Sequence, residues 1–307
     1  MLKINDFDFF MILLYFSIWI SFYFALCFWK PSRSCEWHCR TVTVLHAVTV
    51  TLIAIYVVFI LGPSPFTHAG GRNTPAQVMA VSICLAYFLF DLGWCLYFKT
   101  EGPVMLAHHF LSIIGLSWCL FAGYYGTELV ATIGGAEITN PLLQLRWFLR
   151  ESGHYKSLLG DIVDWTFIMS FGFVRILLGS VLLYSYYQQN TDFWGRLGGT
   201  CIYSIGWIFF IGILNYAVKK YSRRFKNWKH KPAQTTLVSS SQLSQAATSK
   251  GSDKCAGTTS HLKPANGKNS FCQEERNILS VREIKSGSSG LFARNVSHAE
   301  DFLNHSL

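Results

Sequence analysis

The apolar positions of this chain lie in long runs, nearly all before Val218, separated by short polar and basic segments. Seven runs approach the roughly 20 apolar residues needed to cross ~30 Å of hydrocarbon. They cover about residues 9–29, 41–61, 78–98, 104–124, 128–149, 162–186 and 197–218. Six are clean. The fifth reads LVATIGGAEITNPLLQLRWFL, with Gly134, Gly135, Glu137, Asn140 and Pro141 in its middle, so hydropathy alone suits a re-entrant or interfacial segment. The expected fold is therefore all-α, a polytopic membrane helix bundle of about seven spans.

Charge settles the fifth run. With seven crossings, one side receives Lys30, Arg33, Arg40, Lys99, Arg150, Lys156 and the basic cluster after the last run, while the other receives only Lys3, Arg72 and Arg196. That is a strong positive-inside asymmetry. Six crossings with the same cytosolic tail would move the Lys30 to Arg40 loop and Lys99 outside. We expect seven spans, an outer amino terminus and a cytosolic C-terminal tail. Pro141 inside a span frees a backbone carbonyl, which is tolerable only where neighbouring protein satisfies it again. The fifth span should therefore be an interior one.

The first run is about 21 residues long, follows Asp6 and Asp8 rather than a basic region, and lacks a small-residue cleavage site. It reads as an anchor span over 1–34, not a cleavable signal. Loop 62–77 is rich in turn formers and should be an ordered outer loop. Residues 226–307 are rich in Ser, Lys, Gly and Thr without apolar periodicity, which predicts a disordered basic tail. Its sequons Asn295-Val296-Ser297 and Asn304-His305-Ser306 should stay unmodified if the tail is cytosolic.

Composition adds little to this picture and removes several classes. Charged residues make up 14% of the chain and hydrophobic ones 51%, well away from the quarter or so of charged residues in a soluble domain. The net charge of +9 does not point to nucleic acid. Lys219, Lys220, Arg223 and Arg224 directly follow the last apolar run, the placement of an anchor on an anionic leaflet. Nine cysteines give no legible disulfide framework, because Cys27, Cys84, Cys95, Cys119 and Cys201 lie inside apolar runs as small hydrophobes. Cys35 and Cys39 lie in a basic loop where palmitoylation is conceivable, though ordinary loop thiols are the plainer reading.

Ionisable groups inside spans are costly, so each is a candidate for function. They are His46 in the second span, Asp91 in the third, His108 and His109 in the fourth, Glu137, Asn140 and Arg146 in the fifth, and Arg175 in the sixth. From the helical rise, His46, Asp91, His108 and His109 all fall ~7–11 Å from the cytosolic boundary, in one layer. Glu137 and Arg175 fall deeper, ~18–21 Å in, and a buried pair between them is the economical arrangement, with Asn140 one turn away in the same network. Adjacent histidines point about 100° apart, so His108 and His109 cannot ligate as a same-face pair, and no metal is expected. Adjacency instead permits one imidazole to face a cavity while Asp91 or His46 holds the other as an oriented acid/base. No cofactor is implied.

At these residues the chain resembles a known family. AYFLFDLGWCLYF, MLAHHFLSIIGL, EITNPLLQLRWFLRESG and FVRILLG are similar to the TLC domain, shared by translocating-chain-associating membrane protein, ceramide synthases and a neuronal ceroid lipofuscinosis protein. The likeness covers about residues 35–225, and EWHCR and PSPFTH place it nearest a small non-synthase branch. It implies a helical barrel around a lipid-accessible cavity, in the endoplasmic reticulum or plasma membrane, with membrane lipids, sphingolipid or acyl-CoA among them, as partners. His108 and His109 match the paired histidines thought to deprotonate a long-chain base in the synthases. The paired-aspartate element of those enzymes is replaced here by EITNP. The resemblance thus favours lipid binding, sensing or regulation over catalysis, with an N-acyltransferase using His108, His109 and Asp91 as the alternative. A receptor of the G-protein-coupled class is set aside for want of its motifs, and a transporter because only the fifth span looks broken.

Overall fold

The computed structural model describes residues 6–229. The tail beyond, with both sequons, and Lys3 lie outside the described residues. Among the described residues the fold is helical throughout, with one isolated bridge between Arg72 and Tyr124. Residues up to Val218 belong to one compact unit.

The helices are α1 (Asp6–Trp29), α2 (Cys35–Tyr56), α3 (Pro75–Phe98), α4 (Pro103–Ala122), α5 (Gly126–Glu137), α6 (Asn140–Glu151), α7 (Leu158–Phe171), α8 (Gly179–Gln188) and α9 (Phe193–Lys229). Local chemistry sets their ends. Ser34 caps α2 by accepting from the Trp37 amide at 3.1 Å. Thr74 and Gln77 form a reciprocal capping box at α3, with Pro75 in its first turn. Gly123, at φ 72°, closes α4 in the left-handed region that glycine adopts at no steric cost. Two π-helical stretches interrupt the long rods: Val57–Leu61 extends α2, and Gly172–Leu178 joins α7 to α8.

Among the described residues six helices are long and apolar enough to cross a membrane: Asp8–Trp29, Cys35–Leu61, Pro75–Phe98, Pro103–Ala122, Leu158–Gln188 and Phe193–Asn227. Their outer surfaces carry bare aromatics such as Phe28, Tyr97 and Phe59, 85%, 81% and 76% exposed, an arrangement suited to lipid and not to water. The protein is an integral multi-pass membrane protein. Residue order fixes the direction of the rods: α1, α3 and the last span end, and α2, α4 and α7 begin, at the end of the bundle that carries Lys30, Arg33, Arg40, Lys99 and Lys156. We call this the basic end. The helix α9 continues through Lys219, Lys220, Arg223 and Arg224 to Lys229, so the basic cluster lies on a helix.

The fifth segment is neither a clean span nor a re-entrant loop. It is two 12-residue helices, α5 and α6, broken between Glu137 and Asn140 just before Pro141. Gly134 lies so close to α2 that an added Cβ would come within 2.8 Å of the Ala54 Cβ, which places α5 against the far half of α2. Arg40 donates to Gln144 at 3.1 Å, and the Trp37 and Phe148 rings lie 5.8 Å apart, which places α6 against the start of α2. The pair therefore runs antiparallel to α2 along its length. Val130, Glu137, Gln144 and Arg146 are all buried, as an interior span requires.

The 62–77 loop is ordered as expected, and it docks on the later helices. Gly70 donates to the Glu128 carboxylate at 3.1 Å, Ala69 to Gln189 at 2.7 Å, and Gly126 to Asn73 at 2.8 Å.

Candidate functional site

The polar residues of the spans gather in three groups toward the basic end. The first is the histidine layer of α2, α3 and α4. His109 Nε2 lies 3.4 Å from Asp91 Oδ2, a contact longer than an optimal hydrogen bond of about 2.7–3.2 Å but close enough to orient the ring. This is the partnership the shared depth of Asp91 and His109 suggests. His109 Nδ1 and His108 Nδ1 are buried with no hydrogen-bond partner. The His108 ring is edged by Phe88 at 5.9 Å and by Phe209 of α9 at 5.6 Å, so it sits in an aromatic frame. His46 belongs to the layer but not to the pair. It is fully buried, stacks on Tyr87 at 3.7 Å with an interplanar angle of 9°, and leaves both nitrogens unpartnered.

Two cysteines join Asp91. Cys95 stands one helical turn after Asp91 on α3, and the ligating atoms of Asp91, Cys95 and His109 lie within 4.8 Å of one another. Cys39 donates its Sγ–H to Asp91 Oδ1 at 3.7 Å. Sequence reading places Cys39 in a loop. The structure places it in the first turns of α2, 3% exposed, where a palmitoyl chain cannot be attached, whereas Cys35 is exposed. Cys95 is buried like other apolar-run cysteines, but its neighbours are ionisable. Sequence spacing hides the grouping, because it is assembled from three helices.

The second group is a ladder along α6. Glu137 Oε2 accepts from Asn140 at 3.0 Å, Asn140 Oδ1 accepts from Gln144 at 3.2 Å, and Gln144 Oε1 accepts from Arg40 at 3.1 Å. A buried carboxylate in mid-span is thereby linked through two amides to a guanidinium that also meets Glu36 at 2.8 Å. The expected neighbours Glu137 and Arg175 form no direct ion pair among the described residues, although the two charges lie close enough to attract each other. Arg175, within the π-helical stretch, donates from Nη2 to the Ala136 carbonyl at 2.6 Å, which Thr139 also bonds at 3.2 Å. The physical reason is the helix break. α5 ends at Glu137, its last carbonyls lack helical partners, and a cation at a helix C-terminus satisfies both the carbonyl and the dipole. This is the neighbouring-protein rescue that a proline-broken interior span demands.

Of the third group the sequence reading named Arg146 but not its partner. Arg146 Nε meets Asp164 Oδ1 at 2.6 Å with both side chains 2% exposed, a close and fully buried ion pair. Asp164 Oδ2 accepts from Tyr155 at 2.7 Å, and Tyr216 and Arg150 complete a web with Tyr155 at 3.2 and 3.4 Å. Arg146 also lies over the Phe167 ring at 4.8 Å. Asp164 sits near the start of the sixth apolar run, where hydropathy treats an acid as a flank. The fact that an unpaired Arg146 must find a carboxylate was the available signal.

The helix α9 closes this side through long side chains. Phe210 stacks on Phe171 at 6.0 Å, and Tyr203 shares a 2.6 Å hydrogen bond with Ser180.

Comparison with known proteins agrees with this architecture. The TLC domain model matches residues 36–219. A TLC domain-containing protein of Arabidopsis thaliana is 24% identical over 216 residues, 65% of this chain and 82% of the relative. The TLC domain-containing protein 4-B of Xenopus laevis is 26% identical over 168 residues, 52% of this chain and 62% of the relative. By the family match and the helical bundle that carries it, this chain belongs to the TLC domain family of multi-pass membrane proteins.

Proposed function

We propose that the protein binds, senses or regulates membrane lipids, with its basic end and C-terminal tail toward the cytosol, and performs no covalent chemistry of its own. The observation that carries this reading is the state of the histidine pair and its surroundings. His109 is turned to Asp91, while His108 offers a polar nitrogen within an aromatic frame of Phe88 and Phe209 from two different helices. Such a frame suits an acyl chain and its adjoining polar group. At the place where the synthase pattern has paired aspartates, the single carboxylate of Glu137 is engaged by Asn140 and tied into a ladder, an arrangement for holding helices. Lys219, Lys220, Arg223 and Arg224 would hold the basic end on an anionic leaflet, each adding about 1 kcal/mol near the surface. The endoplasmic reticulum and the plasma membrane both provide such a face.

The 3.4 Å contact of His109 with Asp91 favours one second reading, an N-acyltransferase in which Asp91 orients an imidazole that takes a proton from an amine. Lipidomics of cells with and without the protein separates the two. A shift in glycerophospholipid acyl composition with unchanged ceramides supports regulation. A ceramide-specific loss, reproduced by His108→Ala and His109→Ala in protein that still reaches its membrane, contradicts it and supports the transferase.

A further inference from the structure

Cys39 and Cys95, beside the contact of His109 with Asp91, have no part in the proposed lipid site. Cys39 of α2, Asp91 and Cys95 of α3 and His109 of α4 converge at one depth, three of them 3%, 5% and 6% exposed and the Asp91 side chain 14%. The Asp91 carboxylate lies at the centre, 3.4 Å from His109 Nε2 and 3.7 Å from Cys39 Sγ, with Cys95 Sγ inside the same 4.8 Å group.

We propose that Cys39, Asp91, Cys95 and His109 form a structural zinc site that clamps α2, α3 and α4 together. Tetrahedral zinc with bonds of ~2.0–2.3 Å requires ligand-to-ligand edges of ~3.3–3.8 Å. The His109–Asp91 and Cys39–Asp91 separations fall in that range, on the two different carboxylate oxygens, while Cys39 Sγ lies outside the group of three whose ligating atoms are all within 4.8 Å of one another, so binding must draw both thiols inward. Asp91 and Cys95 share one face of α3, one turn apart, so both can reach the same point. Two sulfur ligands with one imidazole select a soft or borderline ion over magnesium or calcium. Two thiolates and one carboxylate would leave a net charge of −1 on a bound dication. Arg40, next in sequence to Cys39, is the neighbouring cation, shared with Glu36 at 2.8 Å and Glu101 at 3.9 Å. Four protein ligands leave no open position, so the metal holds structure and does not activate water.

The consequence is an asymmetry between the paired histidines. His109 becomes a ligand fixed to the bundle, and His108 alone remains for the aromatic frame. This goes beyond the lipid reading and does not depend on it, since a lipid could be bound with or without the metal.

The test uses the full chain purified in detergent with an affinity tag that lacks histidine, without chelators. Elemental analysis should find about one zinc per chain, as a closed four-ligand site requires. The Co2+-exchanged protein should show tetrahedral ligand-field bands together with a thiolate-to-cobalt charge-transfer band. Cys95→Ser and Cys39→Ser should each weaken that band, and the double variant should abolish it, while Cys201→Ser on α9 leaves the spectrum unchanged. The proposal is overturned if wild-type protein neither carries zinc nor takes up Co2+. It is equally overturned if bound Co2+ shows no thiolate band, or if the double cysteine variant binds as the wild type does. The wild-type spectrum decides even should a variant fail to fold. Loss of the zinc reading with lipid effects intact would leave the proposed function standing.

Discussion

Two buried polar regions near the basic end face the same problem of charge in hydrocarbon and solve it differently. At the α6–α7 corner Arg146 and Asp164 meet at 2.6 Å, and Tyr155, Tyr216 and Arg150 tie into the same web. In the histidine layer of α2, α3 and α4, three imidazoles share one long contact, to Asp91, and leave four ring nitrogens buried without partners. The first region resembles a lock. The second keeps hydrogen-bonding capacity unspent, which is costly for a scaffold and useful for a site that meets a ligand. A membrane protein has no water to satisfy spare donors, so the contrast separates the residues that hold the bundle from those available for function.

The comparison can be broken at its strongest point. Asp164→Ala should destabilise the protein by about 3–5 kcal/mol, because it leaves the Arg146 guanidinium buried and uncompensated. Arg146→Met combined with Asp164→Leu should cost much less than either single change, and unfolding in mixed detergent is the measurement. A double variant as damaged as the single ones would mean that the web, not the pair, carries the corner. Next comes Arg175→Leu, which removes one of two donors to the Ala136 carbonyl at the helix break. It should cost about 1–3 kcal/mol, measured in the same assay, and Arg175→Lys should recover part of the loss. The smallest effect is expected at His46. His46→Phe keeps the volume and the stacking on Tyr87 while removing two unsatisfied nitrogens, so stability should change by less than about 1.5 kcal/mol. A larger loss would place a hydrogen-bonding ligand at His46 in the native protein.

What was legible in the sequence follows from the same physics. The rods were readable because length and apolarity are local properties, and the direction of the fifth segment was readable from its flanking charges. Glu137 and Asn140 were readable as partners because three residues on a helix bring them to one face, as their 3.0 Å bond bears out. The pairing of Arg146 with Asp164 and the grouping of Cys39, Cys95 and His109 with Asp91 were not. Each depends on how neighbouring helices are rotated about their axes, and a shift of one residue turns a side chain by about 100°. Glu137 and Arg175 form no direct ion pair among the described residues for a related reason. Matched depth counts charges but not backbone carbonyls, and the break before Pro141 gave Arg175 a carbonyl to satisfy at Ala136.

The central claim is that the histidine frame of α4 and α9 receives a lipid while the α6–α7 corner does not. Photocrosslinking with a glycerophospholipid carrying a photoactivatable acyl chain, in vesicles containing the full chain, tests it directly. Adducts should map to α4 and α9 around His108 and Phe209, and His108→Trp should reduce them without changing labelling of the lipid-facing Phe28 and Tyr97. Labelling confined to such outward residues, or unaffected by His108→Trp, would show that lipid meets this protein only as solvent and would contradict the account.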